Sequence, residues 1–142
     1  MPMTETARDT VAIDEAMHHL YREFTDGNDP ERVPFRTMKD MFLWSAVVGV
    51  SKRERLPLQS KRLTIFRWST FSPQIDIPLI KAIAIAAKED IPILADQEAM
   101  LTIIEEYANA GVHQLSAILM QDSRLPLWNL ITFIQERSNA NS

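Results

Sequence analysis

The chain has 142 residues and a formal net charge of -4, with 46% hydrophobic and 24% charged residues. This length fits a single domain, residues 1–142, that can bury a core, and it leaves no room for a second full domain. The sequence has no cysteine, which excludes disulfides, thiol nucleophiles and zinc-thiolate or iron-sulfur sites and agrees with a reducing cytosol.

The first predicted element is an amphipathic helix from about Thr10 to Thr25. Apolar residues recur at offsets of 0, 4, 7, 8 and 11, which places them in one helical stripe: Ile13, Met17, Leu20, Tyr21 and Phe24. The run Asp26-Gly27-Asn28-Asp29-Pro30 then favours turns and cannot continue a helix. We therefore expect a linker over residues 26–34.

The next predicted element is a buried helix from Met38 to Gly49. Thr37 and Asp40 resemble a weak capping box, and the residues that follow are apolar on nearly every side. A strand over residues 44–50 is the rival prediction, because short apolar runs do not distinguish helix from strand by period alone. Residues 63–68 fit a short strand or one more helical turn, and the helical turn is preferred.

Clear helix signals begin at Asp76. Asp76 fits an N-cap with Pro78 in the first turn, followed by apolar residues at helical spacing. Asp96 fits the N-cap of a further helix, and Gly111 is placed to stop or bend that helix.

The dipeptide Leu125-Pro126 opens a last predicted helix, after which residues 138–142 should fray. Trp44 and Trp128 are interpreted as core anchors. The predicted fold class is therefore all-α: a compact single-domain bundle of about five to six helices, with room for one short strand pair near residues 44–68.

Positive charge is concentrated in the middle of this acidic chain. Residues 51–67, the basic segment, carry a charge of +5 and contain six basic residues: Lys52, Arg53, Arg55, Lys61, Arg62 and Arg67. Such cations bind phosphates with salt-sensitive affinity, and they make these six residues the candidate nucleic-acid-binding site. They lie in a connection and not on a recognition helix, so we expect contact with the DNA backbone. An acidic protein partner and a simple solvated surface are the alternatives.

Few residues are spaced in ways that are typical of catalysis or metal binding. Glu15, His19 and Glu23 share one face at helical spacing and would offer ligands to a divalent ion, but an exposed charged face explains them better. Glu105 and Glu106 cannot converge on one proton, because adjacent helical residues point about 100° apart. The sequence also lacks a Gly-rich phosphate loop and the common hydrolase motifs. We therefore expect no enzyme, no catalytic residues, no metal and no cofactor.

Several segments, taken in order, resemble one protein family. They are Phe35 to Phe42, Gly49, the Lys52 to Leu58 run with its Arg-Leu-Pro-Leu, Ile65 to Trp68, and Glu105 to Gly111. Their order and spacing, over roughly residues 33–118, are similar to DNA phosphorothioation (Dnd) system-associated protein 4. One departure is Ala110, where that pattern leads us to expect a second glycine.

The resemblance implies a link to bacterial systems that replace a non-bridging phosphate oxygen of DNA with sulfur and use the mark in antiviral defence. With the residue patterns, it implies a non-enzymatic accessory protein of such a modification and restriction system that contacts DNA through the basic segment. The alternative is an adaptor that docks on an acidic partner through the same segment. We expect DNA and other proteins of the system as partners, and homo-oligomer formation stays open.

Localisation is predicted from what the chain lacks. Met1 to Asp14 has no basic region followed by an apolar one, so no signal peptide is expected. The longest apolar run, Met41 to Val50, is about half a membrane span. We therefore expect a soluble cytoplasmic protein with no membrane partner.

Overall fold

The structure, a computed structural model, describes residues 8–140. In chain order its elements are β1 (Thr10–Asp14), α1 (His18–Thr25), α2 (Met38–Lys52), β2 (Arg62–Arg67), α3 (Asp76–Lys88), α4 (Gln97–Leu119) and α5 (Pro126–Ala140). The predicted mostly helical single domain with one short strand pair is confirmed, but only β2 lies within the expected range of residues 44–68, because its partner β1 lies at Thr10–Asp14. Within the described residues, no helix is long and apolar enough to cross a membrane.

Two sequence predictions fall partly outside the described residues. The segment predicted to lack a signal peptide begins at Met1, and its first seven residues are not described. The tail predicted to fray, residues 138–142, is helical as far as Ala140, and its last two residues are not described. The predicted linker, residues 26–34, contains turns and no helix or strand.

Helix α4 is the centre of the fold. Helices α2, α3 and α5 and strand β1 all contact it. The Asp96 side chain accepts a hydrogen bond from the Ala99 backbone N–H (3.0 Å), so the predicted N-cap of this helix is confirmed. Residues buried along α4 include Leu101, Ile104, Ala108, Val112, Leu115 and Leu119.

Helices α2 and α4 meet at two glycines. A Cβ atom at Gly111 would overlap the carbonyl oxygen of Ser45 and lie 2.7 Å from the backbone nitrogen of Gly49. A Cβ atom at Gly49 would overlap the carbonyl oxygen of Tyr107 in the same way. The missing side chains therefore let the two backbones touch. The sequence predicts that Gly111 stops or bends α4, but the helix continues through it to Leu119, because this glycine serves packing.

Helix α2 begins as predicted. The Thr37 hydroxyl accepts from the Asp40 backbone N–H (3.1 Å), which satisfies one of the free donors of the first turn. The rival prediction of a strand over residues 44–50 is therefore wrong. The apolar run from Met41 to Val50 is helical, because Thr37 caps the start of α2 and the buried residues of the run pack against α4.

The N-terminal segment differs from the prediction. The expected helix over residues 10–25 is α-helical only from His18, and Thr10–Asp14 forms β1. β1 pairs antiparallel with β2, with a register shift between Val11 and Ala12, so the favoured helical turn at residues 63–68 is wrong as well. The apolar residues of this segment are spaced as in a helix, but the segment pairs with β2 instead. A local spacing pattern cannot predict a strand partner about 50 residues away.

Both tryptophans predicted as core anchors are exposed. Trp44 retains 36% of its accessible surface and Trp128 retains 49%. The Trp128 indole donates to a Glu31 carboxylate oxygen (2.8 Å) instead of packing in the core. The core-facing positions are filled by neighbours, Phe42 and Ala46 on α2 and Leu130 on α5, so the tryptophans face outward.

Asp76 joins two helices. The prediction that Asp76 is the N-cap of α3 is wrong, because Asp76 is the first residue of the helix. Its buried carboxylate does not cap α3 but accepts from Lys39 Nζ of α2 (2.8 Å) and from the Ser72 N–H (2.8 Å). Burial raises the pKa of this carboxyl, but the hydrogen bonds from Lys39 and Ser72 and the Lys39 charge outweigh burial and hold the pKa below its usual value.

Replacing Gly111 with alanine tests the contact between α2 and α4. Helix propensity alone would stabilise the variant by about 1 kcal/mol. Overpacking costs about 1–3 kcal/mol, occasionally more. Because the clash is with backbone atoms, we expect Gly111→Ala to lower the free energy of unfolding by at least about 3 kcal/mol, measured by urea unfolding. The control is Ala117→Gly at an exposed position of α4, which should cost only about 1 kcal/mol. A Gly111→Ala variant as stable as the parent would contradict the glycine contact.

Replacing Asp76 with asparagine tests the link between α2 and α3. A carboxyl with a lowered pKa stabilises the fold above its unfolded pKa of about 3.9, and this contribution is lost as the pH falls through the folded pKa. We expect Asp76→Asn to be less stable than the parent at neutral pH, and the difference to shrink as the pH falls below about 4. Chemical unfolding across this range measures it.

Asp122→Asn is the control for this pH experiment. Hydrogen bonds from Arg124 also lower the pKa of Asp122, but this carboxylate is exposed, so solvent weakens its contribution. A difference between Asp76→Asn and the parent that does not change with pH would contradict the proposed role of the Lys39–Asp76 pair.

Candidate functional site

The basic segment runs from the end of α2 through a connection into β2. Arg53 follows the last residue of α2 in the left-handed backbone conformation (φ 57°). The Asn109 side chain of α4 donates to the carbonyl oxygens of Leu56 (3.1 Å) and Pro57 (3.2 Å), which anchors the connection. All six candidate cations are exposed and are spread along this path: Lys52, Arg53, Arg55, Lys61, Arg62 and Arg67.

Arg62 binds a buried carboxylate. Its Nη2 lies 2.9 Å from Oε1 of Glu105, a residue of α4 with 2% of its surface exposed. Glu105 also accepts from Arg8 Nη1 (2.8 Å) and from the Ala12 backbone N–H of β1 (2.8 Å). Because an unpaired buried charge is strongly destabilising, Arg62 helps to hold both strands against α4.

Arg55 is also paired with α4. Its Nη2 and Nε lie 3.0 Å and 3.1 Å from Oε1 of Glu106, and its guanidinium lies 5.7 Å from the centre of the Tyr107 ring. These contacts fix the side chain over the surface of the helix. Arg55 is therefore less free to reach a phosphate than we expect from its place in the basic segment.

Two further cations have long, exposed ion pairs. Lys61 Nζ lies 3.9 Å from Glu15, and Arg67 Nη1 lies 3.7 Å from Asp9. Exposed pairs of this length add little to stability and leave the cation available to another anion. The +5 charge of the segment is nevertheless reduced locally by acids from α4 and from the N-terminal part of the chain.

Lys52 and Arg53 are the remaining two cations. Neither forms an ion pair with a carboxylate among residues 8–140. Arg53 lines an open cleft of about 440 Å³ together with His113 and Gln114 of α4. Glu54 lines the same cleft and accepts from Gln114 (3.1 Å), so the cleft carries both signs of charge. The nucleic-acid role of the six residues stays a prediction.

The sequence analysis missed the acidic partners of the basic segment. Glu105 and Glu106 were considered only as catalytic residues. A signal was present, because Glu105 lies four residues after Leu101 and three before Ala108, on the apolar side of α4. A carboxylate at such a position needs cationic or hydrogen-bonding partners, and the basic segment supplies one of them.

The three residues considered as metal ligands lie on two different elements. Glu15 lies in a 3₁₀ turn and interacts with Lys61, whereas His19 and Glu23 lie on α1. The His19 ring nitrogen Nδ1 lies 2.9 Å from the Ala16 carbonyl oxygen. Within residues 8–140, no group of three His, Asp or Glu side chains is placed to hold a metal ion.

A second candidate surface is an apolar groove on α2. Its floor is formed by Trp44 and Val47 of α2, its first wall by Leu79 of α3, and its second wall by Phe133 and Ile134 of α5. Trp44 and Val47 retain 36% and 40% of their accessible surface. Helices that are apolar on nearly every side are normally covered all round, so α2 lacks a cover on this side within the described residues.

The groove consists of two clefts that meet at Trp44. A cleft of about 240 Å³ lies toward α3 and contains Leu79. A cleft of about 190 Å³ lies toward α5 and contains Phe133 and Ile134. The sequence analysis missed this surface because it placed Trp44 in the core. The all-round apolar pattern of α2 was the available signal, but it does not tell which face stays uncovered.

Comparison with known proteins identifies the family. Residues 10–142 match the model of the family described as DNA sulphur modification system-associated protein 4. No curated protein and no solved structure gives a match. The matched region contains both strands and all five described helices, and with them the basic segment and the apolar groove. The chain therefore belongs to the DNA sulphur modification system-associated protein 4 family, as its sequence resemblance indicated.

Proposed function

We propose that this protein is a non-enzymatic accessory component of a DNA sulphur modification system, and that it acts as an adaptor. In this proposal the apolar groove binds another protein of the system. The observation that carries the proposal is the exposure of Trp44 and Val47 within a stretch of α2, Met41 to Gly49, whose other residues are all buried. Membership of the family supplies the association with the system.

The exposed side chains have the composition of a protein interface. Tryptophan is enriched among the residues that contribute most to binding, and such residues lie in pockets from which water is excluded. Trp44 stands between two clefts whose walls are apolar. Contiguous apolar patches on soluble proteins mark sites of interaction, whereas single exposed apolar residues are ordinary. A protein partner explains why several of them meet here.

The buried carboxylates have structural roles that account for them without catalysis. Glu105 accepts from two arginines and one backbone N–H. Asp14 Oδ1 accepts from the backbone N–H groups of Gln59 and Ser60, each at 2.8 Å. Asp76 is held by Lys39 and Ser72. Each carboxylate holds neighbouring segments together, a structural use that explains its burial without a reaction.

Co-purification tests the adaptor function. We expect the tagged protein, expressed with the other proteins of its modification system, to retain at least one of them on an affinity column. Val47→Glu and Trp44→Ala should each reduce the retained amount at least tenfold, because central interface residues contribute about 2 kcal/mol or more. Val47→Glu should leave the thermal unfolding midpoint close to that of the parent, whereas Trp44→Ala also removes packing on Phe35, so both variants are compared at a temperature at which they are folded.

Trp128→Ala is the matched control for the groove variants. It removes an exposed tryptophan of α5 that lies outside the groove and interacts with Glu31. This variant should retain the partner at the parental level. Retention that is equal in the parent and in both groove variants would contradict docking in the groove. Failure of the parent to retain any protein of the system would contradict the adaptor function.

Contact with the DNA backbone is the second candidate function. It is favoured by Lys52 and Arg53, which have no ion pair within the described residues, and by the long pairs of Lys61 and Arg67. The cations of Arg55 and Arg62 are already bound by α4. An acidic protein surface would meet the same cations, so this segment also remains the alternative docking site for an acidic partner.

The salt dependence of duplex DNA binding tests this second function. Each neutralised phosphate contributes about -0.9 to the slope of log K against log salt concentration. Contact through Lys52 and Arg53 alone predicts a slope of about -2, whereas contact through all six cations predicts about -5. Fluorescence anisotropy with a labelled duplex between about 50 and 200 mM salt covers the informative range.

Charge reversal completes the DNA experiment. Lys52→Glu combined with Arg53→Glu should abolish the binding, whereas Arg22→Glu on the exposed side of α1 should leave the slope unchanged. Binding that survives the double reversal would exclude these two cations as the contact. No binding at the lowest salt concentration would contradict DNA contact altogether and leave the adaptor function standing.

A further inference from the structure

We propose that the occupant of the apolar groove is an amphipathic α-helix with acidic residues beside its apolar face, supplied by another protein of the system. This inference rests on the adaptor function and names the chemistry of the partner. Three observations carry it: the shape of the groove, the spacing of the residues on its α3 side, and the charge of its rim.

The shape of the groove fits a helix. The groove has α2 as its floor, with α3 on one side and α5 on the other, and its two clefts flank Trp44. Helices pack by placing the side chains of one into the gaps between side chains of the other. A helix lying along α2 would place side chains into both clefts and cover Trp44 and Val47, which completes the burial of α2.

An exposed apolar stripe on the α3 side enlarges the surface that a bound helix can cover. Exposed apolar residues follow one another at intervals of 4, 3 and 4 residues, beginning with the residue before α3: Ile75, Leu79, Ala82 and Ala86. Residues at intervals of three and four lie on one face of a helix, so a second helix can pack along this stripe. Ile75 keeps 74% of its surface exposed, and the two alanines permit close approach of a second backbone. This stripe continues the apolar surface from Leu79 along α3.

The rim of the groove is positively charged in an acidic protein. Arg137 lines the cleft that contains Ile134, and Arg36 lines a third cleft, next to the groove, that shares Leu43 and Trp44 with it. Neither arginine has an ion pair with a carboxylate among residues 8–140, and Arg137 lies over the Phe133 ring (5.6 Å to its centre). Asp40 lines the same third cleft as Arg36, and the nearby Lys39 is bound mainly to Asp76, so the rim carries two arginines and one acid.

The charge argues against a second copy of this chain. In a symmetric dimer through the groove, the same patch faces itself, so the arginines of one rim would meet those of the other. Like charges brought together in this way oppose association. An acidic helix offers both the apolar cover that α2 lacks and counter-ions for Arg36 and Arg137.

Site-specific cross-linking tests the identity of the occupant. The photoreactive residue p-benzoylphenylalanine is placed at Leu79 or at Ile134, one on each side of the groove, in the full chain expressed with the other proteins of its system. We expect both positions to cross-link to one segment of one system protein. That segment, found by mass spectrometry, should carry apolar residues at intervals of three and four and a net negative charge. The same residue placed at Trp128, outside the groove, should not cross-link to it.

Charge reversal tests the rim separately. Arg36→Glu combined with Arg137→Glu should weaken partner binding at least tenfold and leave the fold unchanged, because both side chains are exposed. Lysine substitutions at the acidic positions of the cross-linked segment should restore binding to this double variant. The same lysine substitutions should weaken binding to the parent. Restoration of this kind would not arise from a general loss of stability.

The outcomes separate this inference from the adaptor function. Cross-links between two copies of this chain, or to a segment without helical spacing or acidic residues, would overturn the inference while partner retention on the affinity column still supports an adaptor. Absence of cross-links from both positions would overturn it too, because the groove would then be empty in the assembly. Unchanged binding after the arginine reversal would overturn the acidic character of the occupant.

Discussion

The direct backbone contact between α2 and α4 is the constraint on which the rest of the structure depends. Gly49 and Gly111 bring the two helix axes closer than any side chain would allow. Once this contact is made, the rotation of α2 about its axis is fixed. Ser45 and Gly49 must face α4, and Trp44 and Val47 are consequently turned away from it. The exposed face of α2 is thus a result of the same contact that forms the core.

The same contact determines how the charges are used. Residues of α4 beside the crossing, Glu105 and Glu106, face the connection that leaves α2 and the strands beyond it. The buried Glu105 binds Arg8, Arg62 and a β1 backbone N–H, so it joins three segments that are far apart in the chain. Cations that are concentrated in the sequence are therefore partly engaged within the fold. This is why family membership and a basic segment do not by themselves amount to a DNA-binding surface.

Local signals in the sequence were sufficient for much of the fold. Thr37 and Asp96 cap the two central helices as predicted, because an N-cap depends on residues only three positions apart. The residues 10–14 were assigned to a helix because their partner strand is distant in the sequence and leaves no trace in local periodicity. The prediction that Trp44 is a core anchor is wrong for a related reason. When a helix is apolar on nearly every side, its sequence does not indicate which side the neighbouring elements cover. The acidic partners of the basic segment likewise depended on a contact between distant elements.

The uncovered face of α2 also affects how the isolated protein behaves in solution. A free copy presents Trp44, Val47 and Ile134 to water, and such surfaces promote nonspecific association between molecules. The isolated protein should therefore aggregate more readily as its concentration rises. Any chain that covered this face would therefore also keep the protein from associating with itself or with unrelated proteins.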